Sequence, residues 1–170
     1  MAVTDTDFAA TWDMTALASQ GSGLSANGMR QKDLVATLTE VEANWNGILA
    51  KLDADGGVND TDYAANGAVD LNNTVVGSLG LGQDDYVSLL DSFTTNFNAT
   101  LVQLDSDSGV ADTDYSATLV ITDIVNVQSV VDRNTAVKNA GTSQIALFAL
   151  LDTVVTQVAA LNAKLDADAA

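Results

Sequence analysis

The residues able to do chemistry in this 170-residue chain are almost all aspartates: 21 Asp stand beside two Glu, Glu40 and Glu42, and there is no His and no Cys. Their densest run is Asp53-Ala54-Asp55-Gly56-Gly57-Val58-Asn59-Asp60-Thr61-Asp62, with an echo at 105–114. Oxygen donors at alternate positions, a Gly at a sharp turn and a closing acid are what a calcium loop requires. With Asp62 as the twelfth position, Asp53 and Asp55 fall third and fifth and Gly56 sixth. In the echo, Asp105, Asp107 and Asp114 take the places of Asp53, Asp55 and Asp62. The first position, however, holds Lys51 or Gln103, and an ammonium there opposes a bound metal. The closing residue is Asp in place of the bidentate Glu.

Helix punctuation accounts for the same residues without metal. Gly56 or Gly57 stops one helix, Asn59 or Asp60 caps the next, and Asp60 and Asp62 favour the positive end of its dipole. Capping is the preferred reading. No cofactor is therefore expected, and Asp53, Asp55, Asp62, Asp105, Asp107 and Asp114 stand as the calcium candidates.

Other chemistry finds little support. Without His or Cys the commonest general base, metal ligand and thiol nucleophile are missing. Carboxylate pairs can do acid–base work, but here they sit in repeated turns, and repeated equal active sites in one chain are not expected. Gly80-Leu81-Gly82 lacks the strand and third Gly of a dinucleotide loop. The chain reads as a non-enzyme. A formal net charge of −17 repels phosphate, which argues against nucleic acid and anionic lipid as partners. The longest apolar run, Ile145 to Leu151, is too short to span a bilayer and suits a centrally buried helix. The N-terminus, Met-Ala-Val-Thr-Asp, carries no basic or apolar signal segment.

The elements that position these aspartates come in repeats. Opening motifs read Thr4-Asp5-Thr6-Asp7-Phe8, Asn59-Asp60-Thr61-Asp62-Tyr63 and Ala111-Asp112-Thr113-Asp114-Tyr115. Closing motifs read Leu52-Asp53-Ala54-Asp55, Leu104-Asp105-Ser106-Asp107 and Leu165-Asp166-Ala167-Asp168. The two kinds alternate, giving units at about 4–55, 59–107 and 111–168 within a single domain, 1–170. The joins are Gly56-Gly57-Val58 and Ser108-Gly109-Val110, so the chain is expected to start at a join and stop at a unit's end.

The second half of each unit carries an apolar stripe. Counting back from the closing Leu, Trp45, Phe97 and Val158 stand seven earlier, and Val41, Phe93 and Val154 eleven earlier. Leu38, Leu90 and Leu151 stand fourteen earlier, and Leu34, Tyr86 and Leu147 eighteen earlier. Those spacings alternate as on one face of a helix. Long helices are expected near 30–54, 84–106 and 142–167, with Trp45 in the core. The first halves read as weaker helices: Phe8, Trp12 and Leu17; Tyr63, Val69, Leu71, Val75, Val76 and Leu79; Tyr115, Leu119, Ile124, Val127 and Val131. Turns at Gly21-Ser22-Gly23, Gly80-Leu81-Gly82 and Asn139-Ala140-Gly141 separate the halves. The expected fold is all-α, six helices as three tandem αα-hairpin repeats in a helical bundle or short array.

The phrase Lys51 to Tyr63, with its echo at Gln103 to Tyr115, resembles a turn found in small helical structural proteins of tailed bacteriophages. There, a Leu-Asp-Ala-Asp-x-Gly-Val-x-Asp-Thr-Asp-Tyr stretch joins two helices. The resemblance implies a virion component of head or tail, made in the host cytoplasm, whose partners are other virion proteins. A −17 chain is repelled by packaged DNA, so an outer capsid decoration or cement protein on the major capsid protein is the leading expectation. A tail or neck component is an alternative within the same class. The acidic loops also resemble those of EF-hands and dockerins, and a calcium-dependent dockerin-like binding module is the alternative from another class. Three similar hairpins further suggest a pseudo-threefold arrangement, suited to a site where three capsid subunits meet.

Overall fold

A computed structural model describes residues 2–11, 31–71, 83–121 and 140–169. Among these the chain is helical and contains no strand. The elements are α1 (Phe8–Thr11), α2 (Gln31–Ala54), α3 (Tyr63–Gly67), α4 (Gln83–Ser106), α5 (Tyr115–Leu119) and α6 (Ala140–Asp168). No described helix is long and apolar enough to cross a membrane.

The three long helices follow the stripe. Residues 38, 41, 45 and 52 of α2, 90, 93, 97 and 104 of α4, and 151, 154, 158 and 165 of α6 are all buried in one core cluster. Each such Leu or Val contributes about 1.5–3 kcal/mol when fully covered, which outweighs the modest propensities of the Asn, Thr and Asp on the outer faces. Trp45, Phe93 and Phe97 meet between α2 and α4 with ring centroids 5.4–6.0 Å apart. A further buried row, not visible in the stripe, lies three residues before each closing Leu: Leu49, Leu101 and Asn162, all fully covered. Leu34, Tyr86 and Leu147 fall in α2, α4 and α6, but their side chains are outside the described set.

The first halves of the units depart from expectation. The helix in the second unit ends at Gly67, and Ala68 is extended at φ −60°, ψ 143°. Val69 and Leu71 are buried, as an apolar helix face predicts, but they belong to non-helical chain. Its backbone is held by side chains instead: the Asn46 amide donates to the Val69 carbonyl (2.9 Å) and accepts from the Val69 N–H (3.0 Å). The Leu71 N–H donates to the Glu42 carboxylate at 2.9 Å. Trp45 Nε1 donates to the Gly67 carbonyl at 2.9 Å. In the third unit α5 likewise stops at Leu119, and Asn98 makes the same two bonds to Ile121. The expected turn at 139–141 is corrected too, since Ala140 and Gly141 lie in the first turn of α6. Trp12, Leu17, the turns at 21–23 and 80–82, and the positions 75–79 and 124–131 lie outside the described residues.

Candidate functional site: the aspartate joins

Each long helix ends in the Leu-Asp-x-Asp motif, and its two carboxylates do different things. The first receives the leading N–H groups of a short helix. Asp53, at the end of α2, accepts from Tyr63 N (2.7 Å) and Ala64 N (3.0 Å) of α3. Asp105, at the end of α4, accepts from Tyr115 N (2.6 Å) and Ser116 N (3.0 Å) of α5, and from the Ser116 hydroxyl. Asp166, at the end of α6, accepts from Phe8 N (2.7 Å) and Ala9 N (3.0 Å) of α1. A helix start leaves N–H groups without intrahelical partners, and a carboxylate is the strongest acceptor for them. The expectation that Asn59 or Asp60 supplies the cap is therefore corrected. Asp62 and Asp114 occupy the N-cap positions of α3 and α5 but make no side-chain cap bond.

The second carboxylate binds the extended chain that leads into a short helix. Asp55 accepts from Thr4 N (3.0 Å), Asp5 N (2.8 Å), Gly57 N (2.7 Å) and the Thr4 hydroxyl (2.8 Å). Asp107 accepts from Asn59 N (3.2 Å), Asp60 N (2.8 Å), Gly109 N (2.7 Å) and the Tyr63 hydroxyl (3.0 Å). Asp168 accepts from Ala111 N (3.1 Å) and Asp112 N (3.0 Å). Burial opposes ionisation of Asp55 and Asp107, yet this donor set prevails and holds both below the ordinary carboxylate value. Burial also raises the Tyr63 hydroxyl well above its ordinary value, and the Asp107 charge adds to that.

These bonds close a circuit. The end of α2 holds α3, the end of α4 holds α5, and the end of α6 returns across 158 residues to α1. The opening segments also crowd one another. A Cβ on Gly57 would stand 2.0 Å from the Ala2 carbonyl oxygen, and one on Gly109 would stand 2.3 Å from that of Gly57. Only glycine permits that approach of backbone to backbone. Val3, Val58 and Val110 follow these positions and are buried.

A cation completes two of the joins. The Lys51 ammonium is 3.1 Å from Asp5, touches Asp7, and lies 4.9 Å from the Phe8 ring centroid. Lys164 pairs with Asp112 and Asp114 and lies 4.8 Å from the Tyr115 ring centroid. Burial works against charge on Lys164, but its two carboxylate partners raise its pKa. Gln103 occupies the corresponding place in the middle unit, donating to Asp60 and Asp62 at 2.6 Å each. Asp62 is held below the ordinary carboxylate value by hydrogen bonds with Asp60, Asn66 and Gln103.

The calcium candidates are thus placed apart. Asp53 and Asp105 face short-helix amides, Asp55 and Asp107 face extended chain, and Asp62 and Asp114 face Gln103 and Lys164. Among the described residues no group of three or more acids converges as a metal cage. An open depression of about 370 Å³ lies at the first join, lined by Thr4, Asp5, Thr6, Lys51, Ala54, Asp55 and Gly56. What the arrangement does chemically is satisfy backbone amides, some of them buried, with charge: it fixes chain directions at one end of the three long helices. Comparison with protein-family models, with curated proteins and with solved structures gave no match to this chain.

Proposed function

We propose that this chain is a non-enzymatic structural protein of a bacteriophage particle, an outer capsid decoration or cement protein that binds the major capsid protein. The single observation that carries this reading is the closed circuit of carboxylate-to-amide bonds at the joins, the stretches that carry the resemblance to phage structural proteins. A chain that directs its paired acids into holding its own backbone invests them in rigidity, as an assembly component requires. The three tandem units are taken to stand about a pseudo-threefold axis running near Ala2, Gly57 and Gly109, where the opening segments crowd together. A body with three similar faces matches a place where three capsid subunits meet, and three weak contacts on one rigid body give avidity. The charge of −17 favours the outer surface, away from packaged DNA.

The test is to separate a lysate of the producing culture on a density gradient and follow the chain with an antiserum. Sedimentation with intact particles, and with capsids emptied of DNA, supports an outer capsid position. Sedimentation with tails alone moves the chain to the tail or neck. Recovery only as free protein at the top of the gradient overturns the virion reading.

A further inference from the structure

Asparagine before glycine is a thermolabile pair, because the glycine peptide nitrogen, unshielded by a side chain, can reach the asparagine carboxamide. The sequence holds this pair at Asn27-Gly28, Asn46-Gly47 and Asn66-Gly67. The first lies outside the described residues. The structure treats the other two oppositely. Asn46 is half-buried in the middle of α2, and Val69 engages both ends of its carboxamide, the nitrogen at 2.9 Å and the oxygen at 3.0 Å. Asn66 is exposed and is the penultimate residue of α3, a helix of 5 residues. Beyond Gly67 the chain is extended, and the Ala68 N–H, 3.2 Å from the Ala64 carbonyl, closes the last turn. A terminal turn opens at far lower cost than a helix interior. The pair at 66–67 is not a feature of the repeat: Thr118 and Leu119 take its place in the third unit, and Thr11 and Trp12 in the first. Packing demands the glycine, since a Cβ at 67 would stand 2.6 Å from the Thr100 hydroxyl and 3.2 Å from a Leu49 methyl. The acidic analogue Asp55-Gly56 is protected, because the N–H groups of Thr4, Asp5 and Gly57 stabilise the ionised Asp55 carboxylate.

We propose that Asn66 is a site of spontaneous covalent modification, and that its conversion loosens the middle join. When the last turn of α3 opens, the Gly67 nitrogen gives its proton to solvent base and bonds to Asn66 Cγ. The Cγ–Nδ2 bond breaks, and ammonia leaves with a proton returned from solvent, closing a succinimide ring. Water then opens the ring at one carbonyl or the other, giving aspartate or isoaspartate. Net, water is consumed and ammonia released. Either product sets a carboxylate where the Asn66 amide hydrogen-bonds Asp62. The new charge is thereby added beside Asp60 and Asp62, which are bridged by the neutral Gln103 amide. Isoaspartate also lengthens the backbone just before Gly67, whose carbonyl accepts from Trp45 Nε1 at 2.9 Å.

The test ages the full chain for weeks in mildly alkaline buffer and maps it by peptide mass spectrometry, beside an unaged sample digested in parallel. Cleavage at Lys51 puts Asn46 and Asn66 on different peptides, and fragmentation places the change within each. Asn66 is expected to gain about 1 Da at least about tenfold faster than Asn46. In urea, with the helices lost, the two rates are expected to converge. The aged parent is expected to melt below the fresh one, whereas Asn66→Gln, whose longer side chain cyclises poorly, ages without that loss. Asn66→Asp is expected to melt below the parent at once, by an amount that shrinks in high salt. An Asn66 that stays intact in the folded chain while converting in urea overturns the proposal. So does conversion at Asn46 as fast as at Asn66. Conversion at Asn66 with no change in Tm overturns the loosening of the middle join.

Discussion

Replacing Asp107 with Ala removes four hydrogen bonds from one carboxylate, and the structure says which of them matter. Asn59 is exposed and Asp60 half-buried, so water can take over their N–H groups. Gly109 and Tyr63 are buried, so the Gly109 N–H and the Tyr63 hydroxyl lose an acceptor that water does not replace. A buried donor left without a partner costs about 1–3 kcal/mol. Two of them set the loss at roughly 2–6 kcal/mol, reduced somewhat because a partly buried charge near Asp60 is also removed. The expected result is a loss of about 3–4 kcal/mol, or a fall of about 10 °C in Tm for a domain of this size. Urea unfolding followed by circular dichroism at the helix band measures it directly. Asp107→Asn, which keeps one acceptor oxygen, should lose less than half as much. Asp91→Ala, at an exposed site on α4, should lose nothing. A loss below about 1 kcal/mol for Asp107→Ala would refute the idea that the joins are held by their second carboxylates.

Gln103→Lys should supply the cation that the middle join lacks and raise stability by about 1 kcal/mol, a gain that shrinks in high salt when melts are compared. Gly109→Ala should cost about 2–3 kcal/mol, because its Cβ meets the backbone of Gly57 and Asn59 within 2.6 Å, whereas Gly56→Ala meets nothing within 4 Å and should melt like the parent. Asp55 and Asp107 have folded-state pKa values below the ordinary 3.8, so they bind fewer protons folded than unfolded. Their contribution is complete above the unfolded value and is lost as pH falls through the folded one; Tm should hold steady from about pH 5 to 8 and drop below about pH 4. A melt that rises on acidification below that point contradicts the assignment. Because the joins are filled by amide donors and lysines, adding EDTA should leave the helix signal and Tm unchanged; a fall restored by calcium would instead favour the dockerin-like module.

The long helices were legible because Leu, Val and aromatic residues repeat at helical spacing. The expected spans 30–54, 84–106 and 142–167 differ from α2, α4 and α6 by at most two residues at any end, and the ends at 54 and 106 coincide. The short helices were legible only at their starts. Val69 and Leu71 are apolar because they are buried, and apolarity does not distinguish a helix face from extended chain clamped by Asn46. The row of Leu49, Leu101 and Asn162 was hidden by its own polar member. The caps were missed for a different reason: capping rules look within a turn of the helix start, and Asp166 reaches Phe8 from the far end of the chain. A signal was nonetheless present. The third closing motif, Leu165-Asp166-Ala167-Asp168, repeats both acids of the other two, and each accepts from an opening segment earlier in the chain. Lys51, whose charge opposes a metal at the first loop position, is the counter-ion of Asp5 and Asp7.

The closed circuit also bears on heredity. Repeated segments in a gene are prone to misaligned recombination, which adds or deletes whole copies. An open stack of repeats absorbs such events, since each copy needs only its neighbours. Here every closing aspartate pair has an opening segment assigned to it, and the tight approach at Gly57 and Gly109 sets how many segments can converge. A deletion removes one opening segment together with one closing pair, and a duplication adds one of each, so either changes how many segments must converge at Gly57 and Gly109. Copy number and the crowding at Gly57 and Gly109 are therefore linked, and a change in the number of units poses a new packing problem at that point, not merely a longer or shorter chain.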